Sequence, residues 1–184
     1  DLIAYLQSLS LESEVSILRD DRPFNFSALN NMAVNSAKGE IIGLINNDTE
    51  VITSDWLTEM VSHALRREVG AVGAKLRYSD GTLQHGGVIL GLGGVAGHSH
   101  KHLPKNSAVG ENLIEAKALP ENPGYFGRVA LISNFSAVTG ACLVIRKSIY
   151  QKVGGLNEHQ LGVAFNDVDF CCRLVKAGHV NVWT

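Results

Sequence analysis

The chain has 184 residues, of which 45% are apolar and 18% are charged, and its formal net charge is −2. This length and composition are those of one globular domain with a substantial core, and they exclude a disordered chain. The charge gives no support to nucleic-acid binding, and no apolar run approaches the ~18 residues of a membrane-spanning helix. The three cysteines lack zinc-site spacing, so we expect reduced thiols in a cytoplasmic protein.

Helical and strand-like patterns alternate over the first part of the chain. The predicted elements are helices over 1–10, 27–38 and 54–67, and strands over 15–18, 41–45 and 69–76. Ser27 is the expected cap of the second helix, and Thr53 or Ser54 that of the third. This alternation predicts an α/β fold in which helices cover both faces of a mostly parallel sheet.

The pattern changes after residue 77. The predicted elements are then a turn at 79–82, strands over 88–92, 129–132 and 138–145, helices over 147–153 and 167–177, and a strand beginning at 183. Residues 97–127 contain three prolines and no sustained period, which predicts a long loop. We expect such a loop to close over a substrate and exclude water.

The predicted strand over 41–45 is followed directly by Asn46, Asn47 and Asp48. Ligands bind at the carboxyl ends of strands in open α/β sheets. A carboxylate oxygen there suits Mg²⁺ or Mn²⁺ bound to a diphosphate. A polar turn before a helix is the simpler interpretation, and these three residues alone favour it.

A second polar cluster, Asn166, Asp167 and Asp169, begins the last predicted helix. Carboxylates in a first helical turn interact favourably with the helix dipole, so capping explains them in part. A carboxylate beside a cleft also serves as a general base that deprotonates an acceptor hydroxyl. The residues alone leave both interpretations open.

Two other patterns are compatible with ligand binding but are not favoured. Residues 91–96 fit the dinucleotide fingerprint G-x-G-x-x-A, but the segment that follows is poor helix material and the fingerprint requires a helix. His98, His100 and His102 would share one face of an extended segment, where they would suit a transition metal. No thiolate lies nearby in sequence, so a polar loop face is the favoured interpretation.

Eight short segments occur in an order and spacing that are specific when taken together. They are residues 24–31, 37–40, 44–51, 70–73, 83–87, 123–128, 137–142 and 165–169. In this series the chain resembles the family 2 glycosyltransferases, inverting enzymes of the GT-A fold, and especially their bacterial rhamnosyl- and galactosyltransferase-like members. The resemblance implies one GT-A domain over residues 1–184, with a Rossmann-like, mostly parallel sheet between helices and an antiparallel strand near the acceptor side. It also implies a fragment that lacks the family's first nucleotide-binding strand and its C-terminal segment.

The resemblance assigns roles to both polar clusters. Asn46, Asn47 and Asp48 occupy the Asp-x-Asp position of the family, so Asp48 is the expected ligand of Mg²⁺ or Mn²⁺. Two asparagines precede it, and Asn46 replaces an aspartate of many family members. Asn31 is the fourth residue expected on the donor side.

On the acceptor side, the resemblance makes Asp167 the catalytic base. Asn166 then replaces a glutamate of the family's Glu-Asp pair. Thr139 and Gly140 are expected to line the acceptor pocket with it.

The implied activity is transfer of a sugar from a nucleotide-diphosphate sugar to a hydroxyl of a saccharide or lipid-linked saccharide, in surface polysaccharide synthesis. The implied location is the cytoplasm, at the inner face of the membrane through segments outside this chain. A nucleotidyltransferase and a non-catalytic nucleotide-sugar-binding module are the alternatives. Retention of Asp48 and Asp167 argues against the binding module.

Overall fold

The computed structural model describes Tyr5, residues 15–105 and residues 121–184. The elements in these ranges are α1 (Phe26–Ser36), β1 (Ile41–Ile45), α2 (Trp56–Ala64), β2 (Val69–Gly73), β3 (Leu76–Arg77), β4 (Leu83–His85), β5 (Val88–Leu90), β6 (Ala96–His98), a 3₁₀ helix (Tyr125–Ala130), β7 (Ser133–Phe135), β8 (Cys142–Arg146), α3 (Lys147–Lys152), α4 (Asn166–Lys176) and β9 (Val180–Trp183). Apart from Tyr5, the helix predicted over 1–10 lies outside the described residues, as does the middle of the loop predicted over 97–127.

Five strands form a mixed sheet in the order β1-β8-β2-β9-β7. Strand β8 lies between β1 and β2 and is antiparallel to both, β7 is antiparallel to β9, and β2 is parallel to β9. Strands β1, β2 and β9 therefore point in one direction, and β8 is an antiparallel strand inserted between two of them. The α/β class is confirmed. The sheet was predicted to be mostly parallel with one antiparallel strand, whereas the described sheet is mixed, with β2–β9 as its one parallel pair.

Helices cover both faces of the sheet, and alternate side chains of β8 belong to the two cores that lie between the sheet and these helices. Leu143 and Ile145 belong to the core that includes buried residues of α1, α3 and α4. Cys142 and Val144 belong to the second core, which includes the buried face of α2. A strand buried on both faces holds a fixed register, since a slip of one residue would exchange the two cores. Strand β8 is therefore a rigid base for the residues that precede it.

Two helix starts differ from the predictions. Asn25, and not Ser27, caps α1, because its side-chain oxygen accepts a hydrogen bond from the backbone N–H of Ala28 at 2.9 Å. Ser27 is fully buried and its hydroxyl donates to the carbonyl of Leu161 at 2.7 Å. Asp55 precedes α2 without a side-chain cap, so neither Thr53 nor Ser54 has the predicted role.

Other predicted elements are wrong or displaced. Residues 15–18 form no strand, and the strand expected over 129–132 is found at 133–135, after the 3₁₀ helix. Strand β1 is an edge of the described sheet and alternates between buried and exposed residues, so it is not fully buried. In α4, Phe170 is fully buried in the core, whereas Val175 is 50% exposed.

The helices predicted over 147–153 and 167–177 are confirmed within one residue at each end. The three cysteines are free thiols, as expected. Among the described residues, no helix has the length and apolar character required to cross a bilayer.

Two strand glycines provide a test of the packing around β8. A Cβ atom added at Gly73 of β2 would overlap the side chain of Val138, whereas one added at Gly43 of β1 would lie 3.7 Å from its nearest neighbour, Ile45 Cδ1. We expect Gly73→Ala to lower the free energy of unfolding by about 1–3 kcal/mol through overpacking. The matched Gly43→Ala change should leave it unchanged or raise it by ~0.5 kcal/mol. Urea unfolding of both variants checks this, and equal effects would contradict the packing described for Val138.

Candidate active site

The polar turn at 46–49 extends directly from β1. The backbone N–H of Asn46 donates to the carbonyl of Ala141 at 2.9 Å, which continues the β1–β8 ladder by one step. The Thr49 hydroxyl donates to the carbonyl of Asn46 at 2.7 Å and closes the turn. Asn47 and Asp48 are exposed at its tip. These hydrogen bonds hold the turn without the Asp48 carboxylate, which has no partner among the described residues. The turn is therefore compatible with a ligand-binding role for Asp48.

The Asp167 carboxylate is fixed in the first turn of α4. Its Oδ2 atom accepts a hydrogen bond from the backbone N–H of Gly140 at 2.9 Å, and its Oδ1 atom accepts one from the N–H of Val168 at 2.8 Å. A carboxylate has about four lone-pair positions, so these two bonds orient the group and leave acceptor capacity for another donor.

Segment 139–141 joins the two clusters, because consecutive residues of it bond to each of them. Gly140 donates to Asp167, and the next residue, Ala141, accepts from Asn46. The Thr139 hydroxyl accepts from the N–H of Ala141 at 3.3 Å and tightens the segment. Both clusters therefore lie at the end of the sheet where β1 finishes and β8 begins.

A cavity of about 190 Å³ opens beside Asp167. Its lining consists of Val88, Ala96, Gly97, His98, Phe165, Asp167 and Val168. This is smaller than the ~300–1,000 Å³ pockets that hold drug-sized ligands, so it suits one small ring or group. Asp167 and His98 are the two titratable side chains that line it.

A larger cavity, of about 720 Å³, contains Asn31 and the opposite face of α4. The Asn31 side chain donates to the carbonyl of Leu156 at 2.9 Å and accepts from the Tyr150 hydroxyl at 2.6 Å. Its oxygen also accepts from the N–H of Leu156, and its nitrogen also contacts Glu158 at 3.0 Å. These bonds account for its amide, so Asn31 ties α1 to the loop after α3. Its predicted role on the donor side is not supported by these contacts.

The remaining acceptor-side prediction concerns Asn166. Its side chain is buried at the start of α4, and its Nδ2 atom has no hydrogen-bond partner among the described residues. It lies next to Asp167 in sequence, although it does not line the smaller cavity.

The side chains at the turn fit a metal ion that takes most of its ligands from the substrate and from water. In the described ranges no group of three or more His, Cys, Asp or Glu side chains is arranged to hold an ion. The turn offers one free carboxylate, Asp48, together with the amide of Asn46. Mg²⁺ is commonly held by one or two carboxylates, with substrate phosphates and water as its other ligands. The residues therefore fit a cation that arrives with a diphosphate.

The sequence patterns did not single out a buried histidine pair beneath the smaller cavity. His85 of β4 is fully buried, and its Nδ1 atom lies 2.9 Å from Nδ1 of His98 in β6. The backbone N–H of Thr139 donates to the other ring nitrogen of His85, Nε2, at 3.4 Å. The one sequence signal was that residues 83–87 form a motif of the family resembled. Segment 139–141 therefore bonds to the histidine pair through Thr139 and to Asp167 through Gly140.

The three alternating histidines do not share a face. His98 contacts His85, His100 contacts the Ser99 hydroxyl at 2.6 Å, and His102 stacks on Tyr78 at 5.2 Å between ring centroids. Positive φ angles of 54° at His100 and 65° at His102 turn the chain and separate the side chains. Residues 91–95 link β5 to β6 in an antiparallel hairpin, so a strand and not a helix follows the fingerprint-like sequence.

Phe165 is a further lining residue, to which the sequence patterns assigned no role. It precedes α4 with a φ angle of 57°, and its ring is 49% exposed. A non-glycine residue in the left-handed region costs ~1–2 kcal/mol. Such strain is often found where a side chain is held at a functional site.

Burial keeps the two histidines neutral. It lowers the pKa of His85 from 6.5 to about 3, and the neighbouring His98 acts in the same direction. Burial also lowers the pKa of His98, helped by the charge of Lys101 and opposed by the Asp167 carboxylate.

These directions predict how stability depends on pH. The unfolded chain binds a proton at His85 below pH ~6.5, whereas folded His85 remains neutral down to a pKa of about 3. The free energy of unfolding should therefore fall as the pH is lowered from ~6.5, by up to about 1.4 kcal/mol per pH unit from this residue. His98 contributes in the same direction.

Urea unfolding between about pH 7 and pH 5 measures this slope. The His85→Asn variant lacks the titrating group and should show a shallower slope, with the remainder due to His98 and other groups. An unchanged slope in that variant would show that groups other than His85 cause the pH dependence of the free energy of unfolding.

The chain is similar in sequence to known proteins. The sequence profile of the family described as Glycosyl transferase family 2 matches residues 2–154, a range that contains the turn at 46–49 and segment 139–141 and ends before Asp167. The chain is 53% identical over 173 residues to an uncharacterized protein, y4gI, of Sinorhizobium fredii (strain NBRC 101917 / NGR234), covering 94% of this chain and 17% of that protein. It is 40% identical over 158 residues to the O-antigen biosynthesis protein RfbC of Myxococcus xanthus, covering 86% of this chain and 11% of that protein.

The chain thus spans less than a fifth of the length of either relative. The family match covers most of its residues, including the strand and turn that carry Asp48. The chain belongs to glycosyl transferase family 2.

Proposed function

We propose that this domain is the catalytic part of an inverting glycosyltransferase that moves a sugar from a nucleotide-diphosphate sugar to a saccharide hydroxyl in surface polysaccharide synthesis. The observation that carries the proposal is the pair of hydrogen bonds from consecutive residues of segment 139–141, one to Asp167 and one to Asn46. They hold a candidate base and a candidate diphosphate site at one end of the sheet. The relative named as an O-antigen biosynthesis protein supports the polysaccharide assignment.

In this proposal Asp167 acts as the general base. Its two backbone hydrogen bonds aim the carboxylate, and the cavity beside it gives an acceptor hydroxyl access. As that hydroxyl attacks the anomeric carbon of the donor, Asp167 takes its proton and the nucleotide diphosphate leaves with the bonding electron pair. Attack and departure occur on opposite faces of the sugar, so the configuration inverts in a single displacement without a covalent enzyme intermediate.

The donor diphosphate is assigned to the exposed turn, with Asp48 and Asn46 facing it. A bound Mg²⁺ or Mn²⁺ would neutralise negative charge on the departing diphosphate. Asp48 would hold that cation, and Asn46 and Asn47 would contribute amide groups to the phosphates or the ribose. The exposure of Asp48 and its lack of a partner among the described residues support this assignment.

The alternatives differ in what they require of these two carboxylates. A nucleotidyltransferase is disfavoured by the family match. A non-catalytic binding module would require a diphosphate site but no base, whereas Asp167 is held by hydrogen bonds beside an accessible cavity. Attachment to a membrane face stays a prediction of the resemblance.

The base assignment predicts the effect of Asp167→Asn. The asparagine oxygen still accepts the Gly140 N–H, so the fold should persist, but the amide does not take a proton. We expect the turnover number for sugar transfer to fall by about 10²–10⁴-fold. The measurement is release of nucleoside diphosphate from nucleotide sugars in the presence of saccharide acceptors.

Asp169→Asn is the matched control for that experiment. Asp169 lies on the same helix, but its carboxylate pairs with Arg173 at 2.8 Å and lines the other cavity. This variant should retain transfer close to that of the unmodified protein. Full activity of Asp167→Asn would remove the base assignment, and transfer that is lost equally in both variants would point to damage of α4.

The metal assignment predicts that binding of UDP or dTDP requires Mg²⁺ or Mn²⁺ and is lost with EDTA. Asp48→Asn should weaken binding of the diphosphate about tenfold or more, which corresponds to ~1.4 kcal/mol. Asp55→Asn serves as a control, because Asp55 is exposed and makes no side-chain cap to α2. Isothermal titration calorimetry gives the affinities. Tight metal-independent binding, or an unaffected Asp48 variant, would contradict this role.

A further inference from the structure

The histidine pair has a defined arrangement of protons. A backbone N–H is only a donor, so the bond from Thr139 requires an unprotonated Nε2 on His85. His85 is neutral in its buried position, and its one ring proton is therefore on Nδ1. That proton points at the Nδ1 atom of His98, 2.9 Å away, which must accept it.

The same reasoning fixes the second ring. Neutral His98 accepts at Nδ1, so its own proton is on Nε2. Nε2 makes no hydrogen bond within the described residues, and His98 lines the cavity that Asp167 also lines. The order of donation is therefore Thr139 N–H to His85, His85 to His98, and His98 outward.

The cavity is complementary to part of a sugar. Asp167 accepts hydrogen bonds and His98 donates one, while the other lining residues are apolar or glycine. Saccharides offer hydroxyls that donate and accept on a ring whose C–H face is apolar. The apolar lining includes the exposed ring of Phe165.

We propose that His98 is an acceptor-binding residue, whose Nε2–H donates a hydrogen bond to an oxygen of the acceptor saccharide adjacent to the attacking hydroxyl. A bond to the attacking oxygen itself would reduce its nucleophilicity, so the neighbouring oxygen is the partner. His85 is a positioning residue that holds the tautomer of His98. This inference rests on the proposed function and adds the specificity-determining contact on the acceptor side.

Amide side chains distinguish the two ring nitrogens. His98→Gln places an NH₂ group near the position of Nε2, whereas His98→Asn places one near Nδ1. We expect the asparagine variant to lose about ten- to hundredfold in kcat/KM for the acceptor, mainly through KM, and the glutamine variant to recover much of this loss. The opposite pattern is expected at His85, where Asn retains a donor near Nδ1 and Gln does not.

The assay uses the full-length protein with UDP-galactose or dTDP-rhamnose as donor and a series of methyl glycosides as acceptors. Hydrolysis of the donor without an acceptor is measured in parallel for every variant. Asp55→Asn, at an exposed position outside the cavity, is the control variant and should match the unmodified protein in both reactions. Equal losses in His98→Asn and His98→Gln, no loss in either, or a fall in donor hydrolysis in step with transfer would overturn the inference. If the unmodified protein neither transfers sugar to an acceptor nor hydrolyses a donor, the proposed function is contradicted, and the inference that rests on it is contradicted too.

Discussion

The site depends on the backbone of the short segment that leads into β8. Successive residues of it bond to three separate parts of the chain: Thr139 to His85, Gly140 to Asp167, and Ala141 to Asn46. The His85 ring, the Asp167 carboxylate and the turn that begins at Asn46 are thus bonded to a backbone segment that continues into β8. Because β8 is buried on both faces and fixed in register, its position is transmitted to all three.

In the proposed function, this constraint separates the two halves of the reaction physically. The Asp48 turn lies on an exposed edge strand, where a large, charged diphosphate is able to approach with its water and cation. Asp167, His98 and Phe165 surround a small cavity instead, which suits a single ring. In the proposed reaction, a common backbone segment connects an open site for the leaving group with a confined site for the nucleophile, and this arrangement favours a direct displacement.

The sequence was sufficient for those parts of the structure that local patterns control. The apolar run before Asn46 and the amphipathic pattern after Asp167 located β1 and α4 within a residue or two. It was not sufficient where long-range contacts decide. Asn25 outcompetes Ser27 as a cap because Ser27 is buried against Leu161. Similarly, Asn31 was expected in the site, but four bonds to the region of residues 150–158 hold it elsewhere.

The histidine pair shows most clearly why sequence patterns miss such a feature. His98 was noticed only for its spacing from His100 and His102, yet positive φ angles separate those three residues and the β5–β6 hairpin turns His98 towards His85. The buried His85 imidazole accepts a hydrogen bond at Nε2 and is uncharged, so it orients its neighbour without bringing a second charge near the Asp167 carboxylate. A lysine or arginine in the place of His98 would form an ion pair with Asp167 and occupy the lone pairs that the proposed base requires. Neutral donors next to a carboxylate base therefore allow the site to bind a hydroxyl-rich ligand while the base stays available for the proton.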